Sequence, residues 1–284
     1  MAEVMRASYG RLLAILASSG SDIIAAEDAL SDAFSKALIH WPKEMPRNPE
    51  AWLLTVARNR LKDTYRKDKR IEFHDEVPEP EQADATIDTI PDDRLKLMFV
   101  CAHPAIDARI RTPLMLQTVV GLDSETIARA FLLPPATMAK RLVRAKTKIR
   151  ASAVAFRVPE PEELDDRVSA VLEAIYGAFS RDWLAENTLA EEAFFLATLL
   201  ADLLPNNAEV LGLAAVITFM LSRHGARIRD GKFIPLEEQD PAHWDQALMQ
   251  QASTFLTYAL SIGELGRFQL EAAGHAVHAD RFNT

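Results

Sequence analysis

The sequence predicts an all-α protein. Apolar residues recur at three- and four-residue intervals along nearly the whole chain, strand-like alternation is scarce, and the 284 residues include only 10 glycines. A first helix is expected over Ser21–Ala37, where Ile24, Ala25, Leu30, Ala33, Phe34 and Ala37 form an inward stripe and Glu27, Asp28, Ser31 and Asp32 face outward. The three prolines of WPKEMPRNP, Trp41–Pro49, end it, because proline cannot donate to the helix and restricts the residue before it. Asn48 then caps a second helix with Pro49 at its first position, and that helix runs through AWLLTVARNRLKDTYRKDKR.

Residues 71–91, IEFHDEVPEPEQADATIDTIP, lose the helical period and gain acids and prolines, the composition of an extended linker. Helices resume from Arg94 to about His103 and from about Asp107 to Val120. In LDSETIARAFLLPPATMAKRLVRAKTKIR, Asp123 or Ser124 caps a short helix, Ser124 to Phe131, with Ile127 and Ala130 facing inward. Leu132 to Pro134 make a turn, and Pro135 opens a second helix. There Met138, Leu142, Ala145 and Ile149 are spaced by four, three and four residues and form one apolar stripe, which leaves Lys140, Arg141, Arg144 and Lys148 on the open faces. These are the parts of a helix-turn-helix. After Pro159 the pattern gives amphipathic helices over roughly Glu162–Phe179, Leu189–Leu204, Ala208–Ser222, Pro241–Ile262 and Leu265–Ala279, an α-hairpin stack without a strict repeat period.

The formal net charge is -9, but it is unevenly sorted. Residues 1–70 carry 12 Lys and Arg against 9 acids, residues 71–91 carry 7 acids and no base, residues 92–151 carry 11 bases against 5 acids, and the remainder carries 9 bases against 20 acids. Two basic blocks thus flank an acidic tether and precede an acidic body, which points to a polyanionic partner for the first half. A single cysteine, Cys101, leaves no internal disulfide and no Cys-rich zinc site, and fits a reducing, cytoplasmic compartment. The longest apolar run, LGLAAVITFML, is well short of the roughly 20 residues a spanning helix needs, so no membrane partner is expected.

A recognition helix offers residues near its amino end to base edges in the major groove, and bases further along grip phosphates. Ala136, Thr137, Ala139 and Lys140 hold the first kind of position, and Arg141, Arg144, Lys146 and Lys148 the second. The alternative is an ordinary solvated basic face. A second dense basic segment, Trp52–Arg70, carries Arg58, Lys62, Arg66, Lys69 and Arg70 with Trp41, Asn48, Trp52, Asn59 and Tyr65 interleaved. Single-stranded nucleic acid calls for such a mixture: cations follow the backbone while rings and amides hold unstacked bases. For Trp41 and Trp52 the alternative is a place in the core.

In combination, AEDALSDAFSKALIHW, PRNPEAWLLTVARNRLKDTYRKDKR, the acidic linker and LDSETIARAF…MAKRLVRAKTKIR resemble the sigma-70 family of bacterial transcription initiation factors, specifically its extracytoplasmic-function group, over about residues 8–152. The resemblance implies a helical region 2 over 1–70, a linker over 71–91 and a region 4 helix-turn-helix over 92–156. It further implies promoter DNA and core RNA polymerase, through its beta-prime clamp and beta flap, as partners. Asp28, Ser31, Asp32 and Phe34 would meet the clamp, although the family commonly has Gln where Ser31 stands. Asn48, Trp52, Asn59, Lys62 and Arg66 would hold the opened minus-10 strand, with the loop Pro42–Pro49 capturing a flipped base. Ala136, Thr137, Lys140, Arg141, Arg144 and Lys148 would address the minus-35 duplex. The linker acids would suit basic polymerase channels, or simply solvate a tether.

Residues 157–284 extend beyond the usual members, and LAEEAFFLATLLADLLPNNAEVLGLAAV, IPLEEQDPAHWD and LGRFQLEAAGHAVHAD are similar to a subgroup with a tetratricopeptide-like carboxy-terminal extension. That extension usually runs on with further repeats, so a shortened member or a piece of a longer protein is expected. IYGAFSRDW departs from the Asn-Glu-Gly-Tyr run expected near Phe179. An acidic helical stack reads as a regulatory or interaction module that contacts the sigma regions, polymerase or a protein regulator. No cofactor, metal or catalytic set is expected, since P-loop, GxGxxG, GxSxG and HExxH frames are all missing from the sequence. Glu271, His275, His278 and Asp280 could share one helical face around a metal, although scattered polar groups at a helix end explain them as well. Cys101 and His103 read as packing and helix-end residues. The competing functions are a duplex-binding repressor or activator, and a helical scaffold or metal hydrolase built on the second half.

Overall fold

The computed structural model describes residues 2–19, 22–69, 93–181, 188–229 and 232–280. The expected linker, 71–91, lies outside them. Among the described residues the fold is all-α apart from one two-stranded pairing, and the chain divides into two compact units, Met1–Ala170 and Val171–Thr284.

In the first unit α1 (Ala2–Ser18), α2 (Ile23–His40) and α3 (Pro49–Lys69) pack on one another, and α4 (Arg94–Cys101) lies against α1. The start of α2 is fixed by Asp22, whose carboxylate accepts from the Ala25 N–H, and that of α3 by Asn48, whose amide oxygen accepts from the Ala51 N–H. Leu12, Leu13, Leu30 and Leu53 are fully buried where these helices meet. α5 (Ala108–Thr118), α6 (Ser124–Ala130) and α7 (Pro135–Ala151) follow, with Asp107 and Asp123 capping α5 and α6. The hydrogen bond from the Thr126 N–H holds the Asp123 carboxyl below its usual value. At the close of α6 the Leu133 N–H bonds the Ala128 carbonyl and the Leu132 N–H the Arg129 carbonyl, with Leu132 at a left-handed φ of 53°. This is a Schellman cap that seats leucine where glycine is usual. α8 (Pro161–Arg181) crosses from the first unit into the second.

In the second unit α9 (Thr188–Leu203), the short α11 (His224–Arg227), α12 (Gln246–Ser261) and α13 (Arg267–Asp280) pack around α10 (Ala208–Ser222), which is buried on nearly every face. The Glu209 carboxylate of α10 accepts from the Phe268 and Gln269 N–H groups at the start of α13. Gly212 stands where any Cβ would crowd the Gln269 backbone.

Several expectations need correction. The inward stripe of α2 is Ile23, Ala26, Ala29, Leu30, Ala33 and Ala37, while Ile24, Ala25 and Phe34 are half-buried, because the helix packs on α1, α3 and α7, with α3 its main neighbour. In α6 Thr126, Ile127 and Ala128 face inward and Ala130 is exposed, since the Schellman turn lifts the last residue off the core. The helix expected from Pro241 begins at Gln246, capped by Asp245; Pro241–His243 form a 3-10 turn instead. β1 (Ile228–Arg229) and β2 (Lys232–Phe233) pair antiparallel, Ile228 opposite Phe233, and two residues are too short a run for alternation to reveal.

Candidate nucleic-acid interface

α7 sorts its side chains by helical phase. Met138, Leu142, Ala145 and Ile149 are buried, as their spacing requires, and Ala136, Lys140, Arg141, Arg144 and Lys148 are exposed with Thr137 half-buried. At 100° per residue Thr137, Lys140, Arg141, Arg144 and Lys148 share one flank, about a third of a turn round from the buried stripe. None of these four cations forms an ion pair among the described residues. A row of unneutralised cations on a rigid helix behind a short turn is the geometry that grips a phosphate backbone, and α6 braces it.

Lys146 is the exception. It was expected on the phosphate-gripping face, yet it is buried, with its ammonium 2.6 Å from both carboxylate oxygens of Glu27 on α2. Four residues on, Arg150 stands 3.5 Å from Asp22. Glu27, expected outward, is drawn in to meet Lys146. Burial pushes the Glu27 carboxyl up, against the pull of Lys146 and of a hydrogen bond from Tyr9. Burial and the adjacent Glu27 carboxylate push the Tyr9 phenol up in turn. The signal was in the sequence: 146 follows 142 by four and precedes 149 by three, which puts it on the apolar side.

On α3, Trp52, Asn59 and Lys62 fall on one flank by their spacing of seven and three, and Asn59 and Lys62 are exposed. Arg58 is exposed as well, and Arg66, Lys69 and Arg70 have no described side chains. Asn48 is half-buried and spends its amide oxygen on the α3 cap. Trp41 is buried at 4% exposure, so the core alternative holds for it; Trp52 stands edge-on to it at 5.8 Å between ring centroids, half-open to solvent. On α2, Asp28 and Ser31 are exposed, Asp32 bonds Arg60 of α3 at 2.7 Å, and Phe34 stacks on Tyr9 at 6.4 Å. Sequence reasoning missed the exposed apolar trio Leu38, Ile39 and Met45 that follows this face, because it continues past the stripe on which the helix was judged.

In the second unit Glu271 accepts from the Tyr176 hydroxyl at 2.7 Å, while His275 Nδ1 meets the Arg223 guanidinium at 2.7 Å. The two are committed to different partners, and the described residues include no group of three metal-ligating side chains. Burial and then the neighbouring Arg227 push Arg223 down to about 10, and burial does the same to Arg227. Cys101 is buried beside Thr118, and His103 accepts from the Ala105 N–H at the end of α4. Among the described residues no helix is long and apolar enough to cross a membrane.

Comparison with known proteins divides the chain in a similar way. No solved structure matches it. An uncharacterized protein of Rhizobium meliloti (strain 1021) is 33% identical over 276 residues, covering 89% of this chain, and the chain spans 64% of that relative's length. Residues 167–260 match a family of unknown function (DUF6596). Residues 4–71, the segment of α1 to α3, match the family model of sigma-70 region 2.

Proposed function

We propose that this chain is a sigma factor of the extracytoplasmic-function group, which brings core RNA polymerase to promoters and acts by binding rather than by catalysis. The observation that carries the reading is the sigma-70 region 2 match over residues 4–71, and the free basic flank of α7 supports it. In this reading α2 docks on the beta-prime clamp through Asp28, Ser31, Asp32 and Phe34, and residues 92–156 meet the beta flap. Asn48, Trp52, Asn59, Lys62 and Arg66 hold the opened minus-10 strand, and Ala136, Thr137, Lys140, Arg141, Arg144 and Lys148 address the minus-35 duplex. Unstacking a base costs a few kcal/mol, so a factor without a fuel must offset it by binding the open strand and by polymerase contacts. Residues 157–284 act as a regulatory or interaction module of tetratricopeptide-like kind. The test is to add the protein to core RNA polymerase and probe promoter DNA for unpaired thymines. Specific opening is the expected result; no binding to core would overturn the reading, and duplex binding without core would favour a repressor or activator.

A further inference from the structure

Arg223 stands at the joint between α10 and α11 and is 4% exposed. Its guanidinium is held on three sides. Nε donates to the Phe219 carbonyl at 3.0 Å, Nη2 meets His275 Nδ1 of α13 at 2.7 Å, and the Trp244 ring centroid lies 5.9 Å from the central carbon. A guanidinium only donates, so His275 accepts at Nδ1 and is a neutral ring with its proton on Nε2. Nη1, which carries two more donors, is buried and has no hydrogen-bond partner. Four residues along, Arg227 is buried too, with its Nη2 on the Met220 carbonyl.

What this arrangement lacks is negative charge. Arg223 stays protonated at neutral pH, and the charge that acts on it among the described residues is that of another cation, Arg227. Residues 157–284 hold 20 acids against 9 bases, yet among the described residues none of those carboxylates offsets Arg223. The carbonyl end of α10 supplies roughly half a negative charge, which does not balance even Arg223 alone. A trapped water could accept from Nη1 but brings no charge. Buried cations are otherwise paired, because an unpaired one loses its hydration and gains nothing in its place. An oxyanion supplies the acceptor and the charge together, and the planar guanidinium matches the oxygens of a carboxylate or a phosphate.

We propose that Arg223, beside Arg227, Trp244 and His275, is the centre of an anion-binding site in the second unit that takes one small oxyanion, a phosphate or a carboxylate, on Nη1. The site goes beyond the sigma reading and does not depend on it. Because Arg223 already links the α10–α11 joint to α13, neutralising it stabilises the helices that meet there.

The test titrates the full chain by isothermal calorimetry with inorganic phosphate and, separately, with acetate, in chloride buffer of constant ionic strength. One saturating site per chain is expected, and the anion that binds more tightly tells phosphate from carboxylate. At saturation the thermal midpoint should rise by about 5 °C. Arg223→Met fills a similar volume without charge. It should abolish the saturating heat and leave the midpoint in chloride unchanged or raised, since an unpaired buried cation has gone. Arg223→Lys keeps the charge without the fork and should bind about tenfold more weakly or worse. Lys232→Gln, an exposed cation of the same unit, should bind as the wild type does, and loss of binding there would place the anion at the surface and overturn the site. Phosphate also stabilises proteins generally by exclusion from their surface. A midpoint gain that Arg223→Met shares in full, or no saturating site for either anion in the wild type, would therefore overturn the proposal. Should Arg223→Met lose helicity, Arg223→Lys decides, and wild-type affinity in that variant would overturn it.

Discussion

At Leu132 a branched side chain, 92% exposed, occupies the left-handed conformation of a Schellman cap. A side chain there costs about 1–2 kcal/mol and gains nothing from burial. Leu132→Gly should raise the stability of the first unit by about 1 kcal/mol, measured by denaturant unfolding; a loss would mean that leucine makes contacts the geometry does not suggest. Charges on α7 should divide by role. Arg141→Ala and Arg144→Ala are each expected to lower the slope of log affinity against log salt by about one, while changes at Thr137 or Lys140 alter sequence preference. Asn59→Ala should spare duplex binding and impair opening, and four identical responses would rule out this separation. In the second unit burial, then the charges of Arg223, His278 and Arg227, push His275 down to about 4. The unfolded imidazole titrates near about 6.5, so between these values the unfolded chain binds more protons. Stability is then complete above about pH 6.5 and is lost as pH falls toward 4. Thermal midpoints of the wild type should follow that slope and those of His275→Gln should follow it less; equal slopes would exclude His275 as the cause.

Elements in this protein start where a short polar side chain can cap them and stop where a turn supplies the last hydrogen bonds. Asp22, Asn48, Asp107, Asp123, Asn207 and Asp245 each accept from a backbone N–H at a helix start, which is why most boundaries could be read locally. α13 differs: its first N–H groups are satisfied by Glu209 of α10, a residue 59 positions earlier. Glu209→Ala should leave those donors short of a partner and cost about 1–2 kcal/mol, with faster amide exchange confined to the start of α13. Uniform exchange across the unit would argue against a capping role. The late start of α12 belongs to the same scale, because Pro241 satisfies the rule for a first helical position, but only the Asp245 cap leads into a full helix.

For the whole molecule, the acidic balance of residues 157–284 beside two basic segments is the reason to assign that part a regulatory role. Deletion after Val158 should change the rate of promoter-specific initiation with core polymerase, and an unchanged rate would remove the role.

Helical class, most boundaries, the buried stripe of α7 and its basic flank were all fixed by local order, because a 3.6-residue period and a capping side chain need no knowledge of distant residues. Which charges remain available for a partner was a tertiary matter. Spacing alone puts Lys146 on the apolar side of α7 and Lys148 on the open one, but the carboxylate that lets Lys146 stay buried, that of Glu27, arrives only with the packing of α7 on α2. Trp41 and Trp52 separate for the same reason: burial depends on what arrives from the neighbouring helix, and no spacing along one segment records that.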